Sequence, residues 1–257
     1  MYIVAKIIYC THIQDQNTIK MSIRIGRRIY ANGSWVDPTY PGYEPIVVMT
    51  SGYGKYSALS PYNLTDENGC IMENIWQFSK VYESVPESVQ RYSRYDNKII
   101  WSHPAEIHVD QDGNLTEEYL AWREKGFYNP YPVRYPVGYD HRHKCICSLK
   151  DVYSPQLNYI EARKEIYLPI YLELVVKEEL FKVLKNKLAK GTNLLIIEVD
   201  GPHQESLKYY RDRYGVSSDF IENNTMLATS KNLDIMLNDP KHPFGHGYCL
   251  AIALMNH

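Results

Sequence analysis

Residues 160–199 combine a long helical pattern with a short buried strand. Apolar side chains recur every three or four residues from Ile160 to Lys190, which predicts a helix with one buried face. The pattern ends at Gly191, a residue type typical of the position after a helix. Pro169 should kink this helix or delay it. The apolar run from Asn193 to Val199 predicts a buried strand. The chain therefore needs a core that covers both a helix and a sheet.

The composition is that of a chain with a full core and no excess of charge. Of the 257 residues, 44% are hydrophobic, and 28 Lys+Arg against 30 Asp+Glu give a formal net charge of −2. This apolar content excludes wholesale disorder. Basic residues form no stripe, so we do not expect tight, sequence-independent binding to duplex nucleic acid.

Targeting signals and cysteine usage point to the cytoplasm. No run of about eighteen apolar residues exists, so we expect no membrane span. The first residues carry Lys6 in a short apolar stretch with no small-residue cleavage site, so we expect no secretion signal. Five scattered cysteines are not a disulfide framework and fit a reducing compartment.

Local patterns predict further elements on both sides of this segment. The predicted strands are Tyr2–Tyr9 and Met21–Tyr30 as antiparallel neighbours, Pro45–Met49 and Lys98–Trp101. The predicted helices are Ile71–Tyr82, a short helix opened by Asn114 and closed by Gly126, Glu205–Tyr214 and Thr225–Asn238. Residues 91–149 end in a Tyr/Pro-rich stretch and resemble an inserted subdomain. The chain has 24 Tyr, which we interpret chiefly as packing residues.

Two motifs suggest ligands but are better explained without them. His141, His143, Cys145 and Cys147 alternate, which places them on one face of a strand. Structural zinc normally uses ligand pairs with wider gaps, so we favour a plain strand and expect no metal. Ser51–Lys55 contains two glycines that could approach a phosphate, but it lacks the established phosphate-loop spacings and is better explained as a turn.

Carboxylates are the strongest candidates for chemistry. Glu73 lies at the start of a predicted helix, and Glu198 closes the buried strand, just before Asp200. Two carboxyls at such positions can share a cleft, where burial separates their pKa values and gives one acid and one base. The alternative is that Glu73 only stabilises its helix dipole. Spacing alone does not decide between the two.

Three blocks in order resemble the NADAR (YbiA-like) family. The first joins the segment Tyr56–Tyr62 to Glu73–Lys80, and the second runs from Glu179 to Glu198. The third holds Asp239 and the glycine-rich run from Phe244 into a final Ala-Leu-Met helix. Together they cover about 80 residues.

The resemblance implies an α+β, helix-rich YbiA-like single domain. We expect an N-terminal β-rich extension over residues 1–50 and the N-glycosidase domain over 51–257. Within that domain, insertions fall at about 91–150 and 201–237.

The resemblance also implies a cytoplasmic hydrolase of the C1′–N bond in a ribosylated or ADP-ribosylated compound, including ADP-ribosylated guanine. Such cleavage passes through an oxocarbenium-like state that a carboxylate stabilises. We expect Glu73 to carry most of the catalysis, Glu198 or Asp239 to act on the water, and Lys80 to lie near the ring or a phosphate. Expected substrate-binding residues are Ser57, Asn74, Trp76, Gln77, Arg163, Phe244 and Gly245. No cofactor or metal is expected.

The main alternative is a non-catalytic module that binds ADP-ribose or a modified nucleoside. Asn74 stands where the family has histidine, and Ala58 stands where it has asparagine, which favours this alternative. Retention of all three carboxylates favours catalysis. The expected partner is a small ribosyl or ADP-ribosyl conjugate, free or as a modified nucleotide in nucleic acid, and transfer to an acceptor other than water is a third interpretation.

Overall fold

A computed structural model describes residues 22–49 and 54–256 of the chain. The predicted strand Tyr2–Tyr9, its pairing with the next strand and most of the glycine motif at 51–55 lie outside these residues. Within them, no helix is long and apolar enough to cross a membrane.

Strands form one four-stranded sheet and several two-stranded ribbons. The strands are β1 (Ile23–Arg27), β2 (Ile29–Ala31), β3 (Ser34–Val36), β4 (Tyr43–Val47), β5 (Lys80–Tyr82), β6 (Ser84–Val85), β7 (Ser88–Arg91), β8 (Ile99–His103), β9 (Glu106–Ile107), β10 (Cys145–Ser148), β11 (Asn193–Glu198) and β12 (Thr225–Leu227). The four-stranded sheet has the order β12-β1-β11-β4, and the predicted buried strand is confirmed as β11.

Helices cover this sheet and line the candidate site. They are α1 (Met72–Phe78), α2 (Glu117–Phe127), α3 (Tyr159–Ala162), α4 (Leu168–Val175), α5 (Glu179–Ala189), α6 (Leu207–Tyr214), α7 (Ser230–Leu237) and α8 (His246–Asn256). The fold is therefore of the α+β class. α6 is confirmed, and it ends at Gly215, whose φ of 63° is the left-handed conformation that glycine favours.

The central sheet joins the two ends of the described chain. β11 pairs in parallel with β1 on one side and with β4 on the other, and β12 pairs with β1 antiparallel. β1 and β4 belong to the segment that we predicted as an N-terminal extension, yet they flank a strand of the predicted glycosidase domain. Residues on both sides of position 50 therefore build one sheet.

The long helix predicted over Ile160–Lys190 is wrong as a continuous element. A π-helical turn, Arg163–Tyr167, separates α3 from α4, and residues 176–178 separate α4 from α5. Pro169 explains the first irregularity, because proline has no N–H to donate and its ring crowds the preceding turn. The end at Gly191 is confirmed, with a φ of 86°.

The helix predicted over Thr225–Asn238 is also wrong in its first part. Asn223 and Asn224 both have positive φ, so the chain turns sharply before Thr225. The next residues form β12 against β1, and α7 begins only after a cap at Thr229, whose side chain accepts from the Asn232 N–H.

The middle of the chain has a hydrophobic cluster of its own, built on Phe78, Trp101, Tyr119 and Trp122. It attaches this segment to α1 and β5. The strand predicted to carry His141, His143, Cys145 and Cys147 on one face is wrong for both histidines. Gly138 turns the chain with a φ of 81°, and residues 139–144 form a 3-10 helix before β10.

Substituting Gly126 should destabilise the protein, because a Cβ there would overlap the ring of Phe78. We expect Gly126→Ala to lower the free energy of unfolding by about 1–3 kcal/mol through overpacking. Urea unfolding followed by circular dichroism measures this. Glu124→Ala, an exposed change in the same helix, should stay within about 0.5 kcal/mol of the wild type. Equal effects of the two changes would contradict the close contact.

Candidate active site

A cavity of about 490 Å³ lies where α1, the segment 134–142, the α3 region and the start of α8 meet. Six of the predicted site residues line it: Glu73, Trp76, Gln77, Arg163, Phe244 and Gly245. They come from the first block, the third block and the π-helical turn, so residues far apart in the sequence share one wall.

Glu73 sits in the first turn of α1 at the wall of the cavity and is 6% exposed. One helical turn later, Gln77 Nε2 donates to Glu73 Oε1 at 2.9 Å. Lys80 Nζ in turn donates to Gln77 Oε1 at 2.7 Å. Lys80 therefore acts on Glu73 through Gln77, and its own ammonium lies 5.0 Å from the Trp76 ring.

The surroundings of Glu73 hold its pKa close to neutrality. Burial raises the pKa to about 7, while the hydrogen bond from Gln77 and the charges of Lys80 and Arg134 oppose the rise and Asp200 adds to it. At neutral pH both protonation states are populated. Such a carboxyl can give up and take back a proton during a reaction.

Positive charge faces the cavity from three arginines, Arg134, Arg142 and Arg163. Arg163 is 1% exposed, donates to the main-chain oxygens of Asp239 and His242 at 2.7 and 2.5 Å, and has no partner for its Nε. These carbonyl groups satisfy hydrogen bonds but do not neutralise the charge. A buried guanidinium of this kind favours an anionic ligand.

Aromatic rings form another part of the wall. The Trp76 ring centroid lies 5.1 Å from that of Tyr167 and 6.4 Å from that of Tyr159. The Arg163 guanidinium lies 4.2 Å from the Tyr159 ring. Flat apolar faces beside positive charge suit a ligand that joins a ring to an anionic group.

Glu198 ends β11 directly behind the cavity wall. Its carboxyl is 1% exposed and packs against Gly245 and Gly247, where an added Cβ would overlap it. His246 lies between these glycines, lines the cavity, and places Nδ1 3.3 Å from Glu198 Oε2. The glycines are needed here because only a chain without side chains admits the carboxyl this closely.

The hydrogen bonds of His246 define where its proton lies. His246 Nε2 lies 2.9 Å from the carbonyl oxygen of Val48, which only accepts, so we assign the proton to Nε2. Burial lowers the pKa of His246 to about 4, which leaves Nδ1 free to accept. Burial and the charge of Asp200 raise the pKa of Glu198 to about 8. At neutral pH a protonated Glu198 can therefore donate to His246 Nδ1.

Besides Lys80 and Glu198, three predicted site residues do not line the cavity. Asn74 is buried and bonds the main chain at Asn129, Tyr131 and Val133, which fixes the segment before Arg134. Asp239 is enclosed by hydrogen bonds described below. Ser57 begins a 3-10 turn, and its carbonyl accepts from Asn63.

Sequence reasoning missed several residues that line the cavity. Asp200 follows β11 and lies 3.9 Å from Arg134 as an ion pair. Its position after the carboxyl end of a parallel strand is a signal that could have found it. Arg134 and Arg142 belong to the Tyr/Pro-rich stretch and its continuation, where no local pattern marks them as ligands.

Among residues 22–49 and 54–256, no group of three or more His, Cys, Asp and Glu side chains could hold a metal ion. No family model, no curated protein and no solved structure matches the chain. The chemistry of the cavity must therefore be inferred from its own residues.

Replacing Glu198 by glutamine should change how stability depends on pH. Unfolded, Glu198 ionises near its ordinary pKa of 4.5; folded, it keeps its proton until about pH 8. The folded state thus binds more protons, and the wild-type free energy of unfolding falls as pH rises through this window, by up to about 1.4 kcal/mol per pH unit. Glu198→Gln removes this loss and should gain stability relative to the wild type from pH 5 to 8.

Chemical unfolding at several pH values measures the effect. Glu205→Gln, an exposed glutamate outside the site, should leave the pH dependence unchanged. Parallel pH curves for Glu198→Gln and the wild type would show that Glu198 ionises normally in the folded protein.

Proposed function

We propose that this chain is an N-glycosidase that hydrolyses the C1′–N bond of a ribosylated or ADP-ribosylated compound, and that it is a divergent relative of the NADAR (YbiA-like) family. The observation that carries the proposal is the position of Glu73. A buried carboxyl with a pKa near 7 faces a cavity that also presents arginine charge.

The arrangement of the three blocks supports the proposed relationship. The first block supplies Glu73, the second ends in Glu198, and the third supplies Phe244 and Gly245. All four residues lie at or directly behind the wall of one cavity. The absence of the family's histidine at Asn74 carries less weight against catalysis, since Asn74 bonds the main chain outside that cavity.

The charges of the cavity agree with a substrate that carries phosphate. Arg142 lies 3.5 Å from the Tyr139 ring, and Arg163 has a free Nε. Guanidinium groups bind phosphate oxygens through paired, charge-assisted hydrogen bonds. We assign the phosphates of the substrate to these arginines, and the ribose C1′ to the neighbourhood of Glu73.

In this mechanism the ionised Glu73 takes a proton from the attacking water. Before that transfer, the negative charges of Glu73 and Asp200 stabilise the positive sugar as the C1′–N bond breaks and its electron pair stays on the nitrogen. The water oxygen bonds to C1′, and Glu73 then passes the proton taken from the water to the departing nitrogen. We propose Glu73, instead of Glu198 or Asp239, as the group that activates the water. Asp239 lies outside the cavity wall, and Glu198 holds a proton behind His246, so Glu73 is left for this step.

Removing the carboxylate of Glu73 should abolish turnover without unfolding the protein. We expect Glu73→Gln to lower kcat/KM on the order of 100-fold or more, since general-base catalysis typically contributes that much. The assay measures release of ADP-ribose or ribose phosphate from ADP-ribosylated guanine DNA, NAD and a ribosylaminopyrimidine phosphate. Glu179→Gln, an exposed glutamate also in the first turn of a helix, is the matched control.

The same assay distinguishes the catalyst from a binding module. No release from any of the three substrates, with ADP-ribose bound equally by both proteins, would favour the non-catalytic alternative. For a catalyst, kcat/KM should rise about tenfold per pH unit below pH 7 and level off above it, because only ionised Glu73 accepts the proton. A rate that falls as pH rises through 7 would contradict the assigned role.

Replacing Arg142 should weaken binding of the phosphate-bearing part. Its side chain lines the cavity but is exposed to solvent, so the change should leave the fold intact. We expect Arg142→Gln to raise the Kd for ADP-ribose by about tenfold, the loss of roughly 1.4 kcal/mol from charge-assisted hydrogen bonds. Arg94→Gln is the matched control, because Arg94 also lies over a tyrosine ring but not at the cavity. Titration calorimetry measures the Kd of both variants for ADP-ribose. An unchanged Kd in Arg142→Gln would contradict the assignment of the substrate phosphates to Arg142.

A further inference from the structure

A second constellation of reactive groups lies among residues that do not line this cavity. Ser206 Oγ lies 3.0 Å from His242 Nε2. His242 Nδ1 lies 2.6 Å from Asp239 Oδ2. A hydroxyl, an imidazole and a carboxylate thus form one continuous hydrogen-bonded chain.

The carboxylate at the end of this chain is buried and fully used. Asp239 Oδ1 accepts from Tyr209 Oη and from the Lys241 N–H, and Oδ2 accepts from Tyr210 Oη. Burial raises the pKa of Asp239, but the hydrogen bonds from Tyr209, His242, Lys241 and Tyr210 outweigh it and hold the pKa below its ordinary value. Asp239 is therefore ionised and acts only as an acceptor.

The ionised Asp239 determines which atom donates in each hydrogen bond between Ser206, His242 and Asp239. Because Asp239 accepts, we assign the proton on the neutral His242 ring to Nδ1. His242 Nε2 is then free to accept the Ser206 hydroxyl proton. The order is that of a serine nucleophile, its general base and an orienting carboxylate.

The imidazole is also held in place by two rings. The Tyr210 ring is stacked on His242 at 5.2 Å, and the Tyr209 ring meets it edge-on at 5.1 Å. Ser206 is partly exposed and directly precedes α6, whose N-terminus favours negative charge.

An open groove of about 480 Å³ lies at the Asp239 end of this constellation. It is lined by Lys208, Tyr209, Asp212, Arg213 and Lys241. Tyr209 and Lys241 both bond Asp239, and Lys208 follows Ser206 by two residues. Cations outnumber the single acid, so the groove favours a substrate with a negative charge.

We propose that Ser206, His242 and Asp239 form a second hydrolytic centre that cleaves carboxylic esters with a negatively charged acyl group.

The proposed hydrolysis has two steps and passes through an acyl-serine. Ser206 Oγ bonds to the carbonyl carbon while its proton passes to His242 Nε2, and the leaving alkoxide departs with that proton when its C–O bond breaks. Water then attacks the acyl-serine and gives one proton to His242 Nε2. The Ser206 oxygen leaves the acyl carbon and takes that proton back, which releases the free acid.

Covalent labelling of the full chain tests the nucleophile. The probe is diisopropyl fluorophosphate, which phosphorylates activated serines, and intact mass with peptide mapping locates the adduct. We expect one adduct on Ser206 in the wild type, and labelling on the order of 100-fold slower in Ser206→Ala and His242→Gln. The control is Ser154→Ala. Ser154 is also partly buried and donates to an aspartate, Asp151, at 2.6 Å, but has no imidazole partner.

Ester hydrolysis tests the substrate class. The 4-nitrophenyl esters of acetic and succinic acid differ by one negative charge in the acyl part, and we expect the succinyl ester to show the higher kcat/KM. Circular dichroism of each variant confirms folding. No adduct on the folded wild type, or equal labelling of Ser206→Ala, would overturn the nucleophile; a preference for the acetyl ester would overturn the anionic substrate class. Because Glu73→Gln should leave labelling intact and Ser206→Ala should leave N-glycosidase activity intact, the two proposals fail independently.

Discussion

Burial of the Glu198 carboxyl against the glycines at the start of α8 determines how the candidate site is built. β11 carries this carboxyl to the end of the central sheet, and Gly245 and Gly247 have no side chains to keep it away. The close contact brings His246 to the cavity wall, where it bonds both the sheet and the carboxyl. The positions of the sheet, the last helix and the cavity wall therefore depend on the same contacts. A side chain added at Gly245 or Gly247 would disturb all three.

The two buried glutamates, Glu198 and Glu73, are suited to different roles because their surroundings differ. Glu198 holds its proton to about pH 8 in a closed site, where it orders the wall. Glu73 is buried too, but Gln77 and nearby cations offset part of the cost of burying its negative charge. Its pKa is near 7, and it lies on the wall of the cavity. The first carboxyl is suited to a structural role and the second to proton transfer.

Glu73 was a candidate from its place at the start of a predicted helix, whereas Trp76 and Gln77 were expected as site residues only from the resemblance. Asp239 was misplaced, since nothing in its own segment reveals that the tyrosines of α6 enclose it. Arg134 was missed because it reaches the cavity through tertiary contacts, among them the hydrogen bonds of Asn74 to the main chain before Arg134. Periodicity predicted that helices and strands both occur, and the α+β class was expected from the resemblance. Periodicity does not show the sharp turn before Thr225, and it was Pro169 that indicated an irregularity in the long helix.

The most direct measurement of the central claim is the pKa of Glu73 itself. A ¹³C-detected NMR titration of the glutamate carboxyl groups, with Glu73→Gln to assign the resonance, gives this value in the folded protein. The account predicts a midpoint near pH 7. A midpoint near the ordinary 4.5 would mean that the cavity leaves this carboxyl fully ionised at neutral pH, and it would contradict the proposed role of Glu73.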